Sequence, residues 1–106
     1  MASQYQVIYA FANASGTGNT SVVAAQAGQR IMVLQCCVIT GATNSVKFQS
    51  NTTDISAAWP LAANGGFVLP YSALGWFQTN IGEALNFNQS TGTATAVQIV
   101  WCPANQ

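Results

Sequence analysis

Six short turn signals, SGTG, GATN, SNTTD, ANGG, NIG and STG, punctuate the chain and leave little room for anything but strands between them. The intervening runs have a period of two. YQVIYAF (5–11) sets Tyr5, Val7, Tyr9 and Phe11 on one face. TSVVAAQ (20–26) follows the turn-rich NASGTGN. QRIMVLQCCVIT (29–40) is long, β-branched and apolar on both faces, as in a strand buried between layers. SVKFQS (45–50) alternates Val46 and Phe48 with Lys47 and Gln49. GGFVLP (65–70) is short and stopped by Pro70. EALNFNQ (83–89) sets Leu85 and Phe87 against Asn86 and Asn88. TATAVQIVWC (93–102) aligns Val97, Ile99 and Trp101. No segment joins helix caps to a 3.6-residue period, and AAWPLAAN offers at most one turn of 3₁₀ helix. The expectation is an all-β antiparallel sandwich or barrel of seven or eight strands, with residues 31–39 as a central strand and Ile31, Met32, Val33 and Leu34 mostly buried.

The 106 residues suffice for one domain, 1–106, with one core, and no linker or repeat divides them. Charge is the anomaly. Only 4% of the residues are charged, against about 25% in ordinary soluble domains. Arg30, Lys47, Asp54 and Glu83 are the whole inventory, and the polar remainder is Asn, Gln, Ser and Thr. A monomer with so few charges has little electrostatic protection against self-association, so much of this surface is expected to be covered by partners. Two basic residues cannot neutralise a run of phosphates, which argues against nucleic acid as a partner. No apolar run approaches the ~18 residues of a membrane-spanning helix. MASQYQ lacks the basic-then-apolar pattern of a signal peptide, which points to a protein made in the cytoplasm that stays there or leaves only as part of something larger.

Chemistry is scarce as well. Ser or Cys nucleophiles need a base, but the chain has no histidine, and its one lysine, Lys47, lies in an alternating strand. Asp54 and Glu83 are the only candidate carboxylate pair, and both sit in turn regions. No spacing of Cys, His or carboxylates suggests a metal site. SGTGNT leads into a strand rather than a helix, which removes the phosphate-loop reading. No catalytic residue, cofactor site or metal site is expected. The cysteines number three. Cys36 and Cys37 are adjacent and must face opposite ways in a strand. Cys102 reaches one of them only if its strand lies alongside, and buried free thiols are the simpler expectation.

The aromatics carry what signal remains. In GGFVLP, Phe67 and Leu69 face one way and Val68 the other. Trp76 and Phe77 are neighbours and cannot both point inward. Tyr71, Trp59, Trp76 and Trp101 would suit a carbohydrate-binding platform if they shared a surface. For each of them a core or subunit-interface position is the plainer expectation, since large aromatics carry most of the energy there.

The series SVKFQSNTTDIS…WPLAANGGFVLPYSALGWFQTNIGEALNFNQS resembles small virion proteins of tailed bacteriophages. In these a V-x-F-x-S strand precedes GGF-x-LP, then GWF-x-T-x-x-GEAL and a final strand. The similarity spans roughly residues 15–101 and is densest from Asn64 to Asn88. It implies a jelly-roll-like sandwich of about eight strands without catalytic activity, as in capsid decoration (cement) proteins. Those stand as homotrimers on the outer capsid surface, bound to the major capsid protein, while related small β-folds serve in head fibres and tails. The three cysteines are not part of the pattern. On this reading the candidate subunit and lattice contacts are Tyr5, Tyr9, Phe11, Tyr71, Trp76 and Phe77, together with a possible N-terminal arm, residues 1–6.

Overall fold

The computed structural model describes residues 6–104. These form β1 (Ile8–Ala14), β2 (Gly18–Val23), β3 (Arg30–Thr40), β4 (Asn44–Ser50), β5 (Thr53–Asp54), β6 (Trp59–Leu61), β7 (Gly66–Leu69), β8 (Phe77–Gln78), β9 (Leu85–Gln89) and β10 (Thr95–Ala104). Two antiparallel sheets pack face to face. Sheet A runs β1-β10-β3-β7, with β8 also on β3, and sheet B runs β2-β9-β4-β5, with β6 also on β4. The pairings nest: β1 with β10, β2 with β9, β3 with β7 and β4 with β6. A long hairpin rolled so that successive arms fall in opposite sheets gives this order, which is that of a jelly roll. The seven runs read as strands correspond to β1, β2, β3, β4, β7, β9 and β10, and the short strands β5, β6 and β8 are additions.

The core is the inward side of both sheets. Ile31, Val33, Cys36, Val38, Val97, Ile99 and Trp101 come from sheet A and meet Val46, Phe48, Leu85 and Phe87 from sheet B. Phe48 is central. Its ring centroid lies 5.1 Å from Phe77, 5.5 Å from Phe87 and 6.4 Å from Trp59. Burial of each such side chain stabilises the fold by about 1.5–3 kcal/mol. At one end the core turns polar, where Thr40, Asn44, Gln89 and Thr95 are all buried. Asn44 Nδ2 and Thr95 Oγ1 donate to Gln89 Oε1 at 2.9 and 2.7 Å, while Gln89 Nε2 donates to the carbonyls of Gly16 and Thr93. One glutamine thus ties together the β1–β2, β3–β4 and β9–β10 turns. Its amide is fully supplied with partners, as a buried polar group must be.

Three expectations are corrected. Among the described residues the first strand begins at Ile8 rather than Tyr5 and continues to Ala14, because its ladder with β10 runs on to the Ala14–Thr95 pair. WPL is not a 3₁₀ turn but a short strand against β4, in which Pro60 occupies an edge position that needs no N–H. Finally, β3 is not buried on both faces along its whole length: Ile39 is 54% exposed on the outer side, and a β-bulge breaks the alternation partway along. Gln35 pairs with Val100 and Val33 with Trp101, so Leu34 is an extra residue. The bulge switches the inward set from Ile31 and Val33 to Cys36 and Val38 and leaves Met32 and Leu34 on the outer side. Ile31, Val33 and Leu34 are fully buried and Met32 is half-buried.

Candidate interaction surface

The two sheets present very different outer faces. On sheet B the outward residues are Asn19 and Ser21 of β2, Asn86 and Asn88 of β9, Lys47 and Gln49 of β4, and Asp54 of β5. They bond to one another and to the neighbouring turn. Asn88 Nδ2 donates to Asn19 Oδ1 (2.7 Å), Gln49 Nε2 to Asp54 Oδ1 (2.7 Å) and Asn86 Nδ2 to the Asn51 carbonyl (2.8 Å), and Lys47 pairs with Asp54 at 3.1 Å. The Gln49 amide and then the Lys47 ammonium hold the Asp54 carboxyl below its ordinary range. This face is largely bonded to itself, with Gln49 Oε1 the buried atom left without a partner.

On sheet A the strand register lines up three outward rows: Asn13–Ala96–Ile39–Gly66, Phe11–Gln98–Cys37–Val68 and Tyr9–Val100–Gln35. None of these positions carries a charge. Tyr9 is 75% exposed, Phe11 72%, Val68 58% and Ile39 54%, so four large apolar side chains stand in water on one sheet face. Shallow furrows run between them, one lined by Tyr9, Gln35, Cys37 and Gln98 and the next by Phe11, Asn13, Ile39 and Ala96. Gly66 belongs to the design of this face. A Cβ there would lie 2.1 Å from the Val38 carbonyl oxygen, so only glycine lets β7 draw close to β3.

At the far end of this face Met32, Leu34, Val100 and Cys102 form a small second apolar cluster. The loop preceding β8 lies against it: Gly75, at φ +82°, packs on the Met32 side chain. The same loop displays Tyr71 (53% exposed) and Leu74 (91%). Trp76 is 44% exposed and its indole N–H donates to the Pro70 carbonyl at 2.7 Å, which fixes the ring.

The candidate contacts therefore divide. Tyr9 and Phe11 stand together on the outer face of sheet A, and Tyr71 and Trp76 lie on the adjoining loop. Phe77 turns inward onto Phe48 and belongs to the core, so Trp76 is the member of that pair left at the surface. Tyr5 lies outside the described residues, as does most of the 1–6 arm. The tryptophans do not share a platform. Trp101 is buried in the core, and Trp59 is half-buried against Phe48 and Phe67. Ile39, Cys37, Val68 and Gln98 were not singled out from the sequence. The available signal was the second apolar face of QCCVIT, which a one-sided strand has no core to fill.

The remaining reactive groups have structural surroundings. Glu83 accepts from Ser50 Oγ (2.6 Å) and from Asn80 Nδ2 (3.2 Å), whereas Asp54 is held by Gln49 and Lys47. The strand of Cys102 does lie beside β3, but Cys102 pairs with Met32, while Cys36 and Cys37 pair with Ile99 and Gln98. That offset of several residues, at roughly 3.3 Å each, keeps the sulfurs apart, and all three cysteines are free thiols. Cys36 points into the core and Cys37 to the outer face. Burial pushes the Cys36 thiol up to about 12, with a hydrogen bond at Leu69 pulling the other way, and burial raises Cys102 as well. No known protein family, curated protein or solved structure matches this chain.

Proposed function

We propose that this chain is a non-enzymatic structural protein that associates with copies of itself and coats a larger particle, as a capsid decoration protein does. The observation that carries the reading is the contrast between the outer faces. Sheet B bonds its own polar groups together, while sheet A leaves Tyr9, Phe11, Ile39 and Val68 in water without a charge among them. Uncharged amide and hydroxyl groups with interspersed apolar side chains are covered at low desolvation cost, and such a surface suits a permanent contact. The resemblance to small phage virion proteins supplies the finer terms of the proposal: a homotrimer, attached to a major capsid protein on the outer shell of the head.

Attachment of this kind rests on apolar anchors and backbone hydrogen bonds, since four charged side chains cannot supply long-range ion pairs. The test has two parts. Native mass spectrometry at micromolar concentration should give a multimer. Particles carrying the protein should retain it between about 0.05 and 1 M salt, a range that spans strong to weak screening. A single-copy mass, or release of most copies by salt alone, overturns the proposal. Sugar-dependent quenching of Trp76 in a monomer would instead point to a carbohydrate-binding module.

A further inference from the structure

We infer that β1 is a docking edge that pairs antiparallel with β1 of a second copy, joining two A sheets into one. This rests on the assembly reading above and names the contact. A strand at a sheet edge presents unpaired N–H and C=O groups, and proteins ordinarily disarm such edges with bulges, prolines, charges or brevity. Three of the four edges here carry such devices. β2 has a register shift between Ser21 and Val23. The β5 and β6 edge of sheet B is two short strands bearing Asp54 and Pro60. The β7 and β8 edge of sheet A is likewise short, and Pro70 follows β7. By contrast β1 spans seven residues, IYAFANA, with no charge, proline or bulge, and among the described residues it pairs on one side only.

The direction of its free groups follows from the ladder. The Gly41 amide donates to the Ala94 carbonyl and the Thr40 amide to the Gly65 carbonyl. Odd-numbered residues of β3 beyond its bulge therefore bond toward β10, and even-numbered ones toward β7. Hydrogen-bonded and non-bonded pairs alternate in an antiparallel ladder. Carried through the registers, this makes Ala96, Gln98 and Val100 of β10 bond to β3, and Thr95, Val97 and Ile99 bond to β1. Within β1, Ala10, Ala12 and Ala14 then bond to β10, and Tyr9, Phe11 and Asn13 aim their backbone N–H and C=O groups away from the sheet.

Those three residues are complementary to themselves. With a two-fold axis beside Phe11, Phe11 exchanges both backbone bonds with Phe11 of the second copy, and Tyr9 and Asn13 exchange theirs with the second copy's Asn13 and Tyr9. All six free donors and acceptors of each edge are used, and no charge meets its like. The same register brings the two Phe11 rings together on the outer side, an aromatic cross-strand pair. It also makes the apolar face continuous across four strands of each copy. The contact is two-fold, so it links copies in pairs; a trimeric unit would use it to join a neighbouring trimer.

Asn13→Pro tests the edge without touching the apolar side chains. Its N–H is not in the ladder with β10, so the fold should persist, whereas Ala12→Pro, which removes a ladder bond, should unfold the chain. The expected result is association weakened about tenfold or more by Asn13→Pro, the scale of a few lost hydrogen bonds. In the unmodified protein, backbone amide exchange at Tyr9, Phe11 and Asn13 should slow as concentration rises. Association unchanged in Asn13→Pro, or exchange at these three amides independent of concentration in a protein that does associate, overturns the edge pairing and leaves the assembly reading standing. Failure of the unmodified protein to associate at any concentration overturns both.

Discussion

The outer faces of the two sheets are built on the same antiparallel pleat, and yet they are chemically opposed. On sheet B each outward amide or carboxylate finds a neighbour at hydrogen-bond distance, and the Lys47–Asp54 pair lies there too. On sheet A the outward rows contain tyrosine, phenylalanine, isoleucine and valine, exposed by half or more. A monomer gains nothing from such exposure, since folding stability comes from the inward rows. The difference teaches that a face can be finished by its own side chains or left open, and that the two conditions are separable by experiment.

The largest effect should come from the side of the sheets that neither face includes. Phe48→Ala removes the centre of the aromatic core and should cost about 3–5 kcal/mol of folding stability, whereas Phe11→Ala should change the stability of one subunit by no more than about 0.5 kcal/mol. Chemical denaturation of dilute protein measures both. Comparable losses would mean that the outer face of sheet A belongs to the folding core after all.

Next in size is the effect on association. Replacing Ile39 and Val68 with aspartate places two charges in the proposed contact, where each apolar side chain would contribute about 1.5–3 kcal/mol on burial, so affinity should fall by more than about a hundredfold. Asn19→Ser with Asn88→Ser breaks the polar ladder on sheet B and should leave association unchanged. Equal sensitivity of the two faces in sedimentation or native mass measurements would erase the distinction between them.

A smaller effect is read with a thiol reagent. Near pH 8, maleimide should label Cys37 on the outer face well before Cys36, whose thiol is buried and raised to about 12, or Cys102, also buried. Association should protect Cys37. Labelling of Cys36 first, by peptide mass mapping, would mean that the β3 register is misplaced by one residue.

The smallest effect belongs to the polar face. The Asp54 carboxyl is depressed when folded, so its contribution is present above the ordinary carboxylate range and lost as pH falls through the lower, folded value. Asp54→Asn should flatten the acid limb of the stability curve slightly. An unchanged acid limb would mean that its exposed bonds contribute nothing measurable.

Much of this architecture was legible in the residues. Alternation in SVKFQS and TATAVQIVWC identified inward sets that the core confirms, because one face of each strand had to be apolar and the other did not. The adjacency of Cys36 and Cys37 fixed their opposite directions for the same reason. Legibility failed where periodicity carries no information about which side is wet. In YQVIYAF the alternation put Tyr9 and Phe11 on one face without saying which side is wet; they point outward, as candidate contacts must, and Ile8 and Ala10 pack inward on the core. The bulge at Leu34 was hidden too, since an extra residue in an all-apolar run leaves the pattern unbroken. The candidate surface was half visible: its aromatics stood out, whereas Ile39 and Val68 acquired meaning only when the register set them in rows.

The nested pairing also bears on synthesis. Among the described residues, β10 is made later than the other nine strands, yet it lies between β1 and β3 and is the only strand joining them. Until it leaves the ribosome, β1 and β3 have no common ladder and the three rows of sheet A do not exist. β2 and β4 wait in the same way for β9. A nascent chain therefore holds β1 and β3 apart until β10 is made, and gains the whole exposed apolar face in one step. If copies associate through this face as proposed, the order of the strands keeps the face from forming on half-made chains crowded on polysomes.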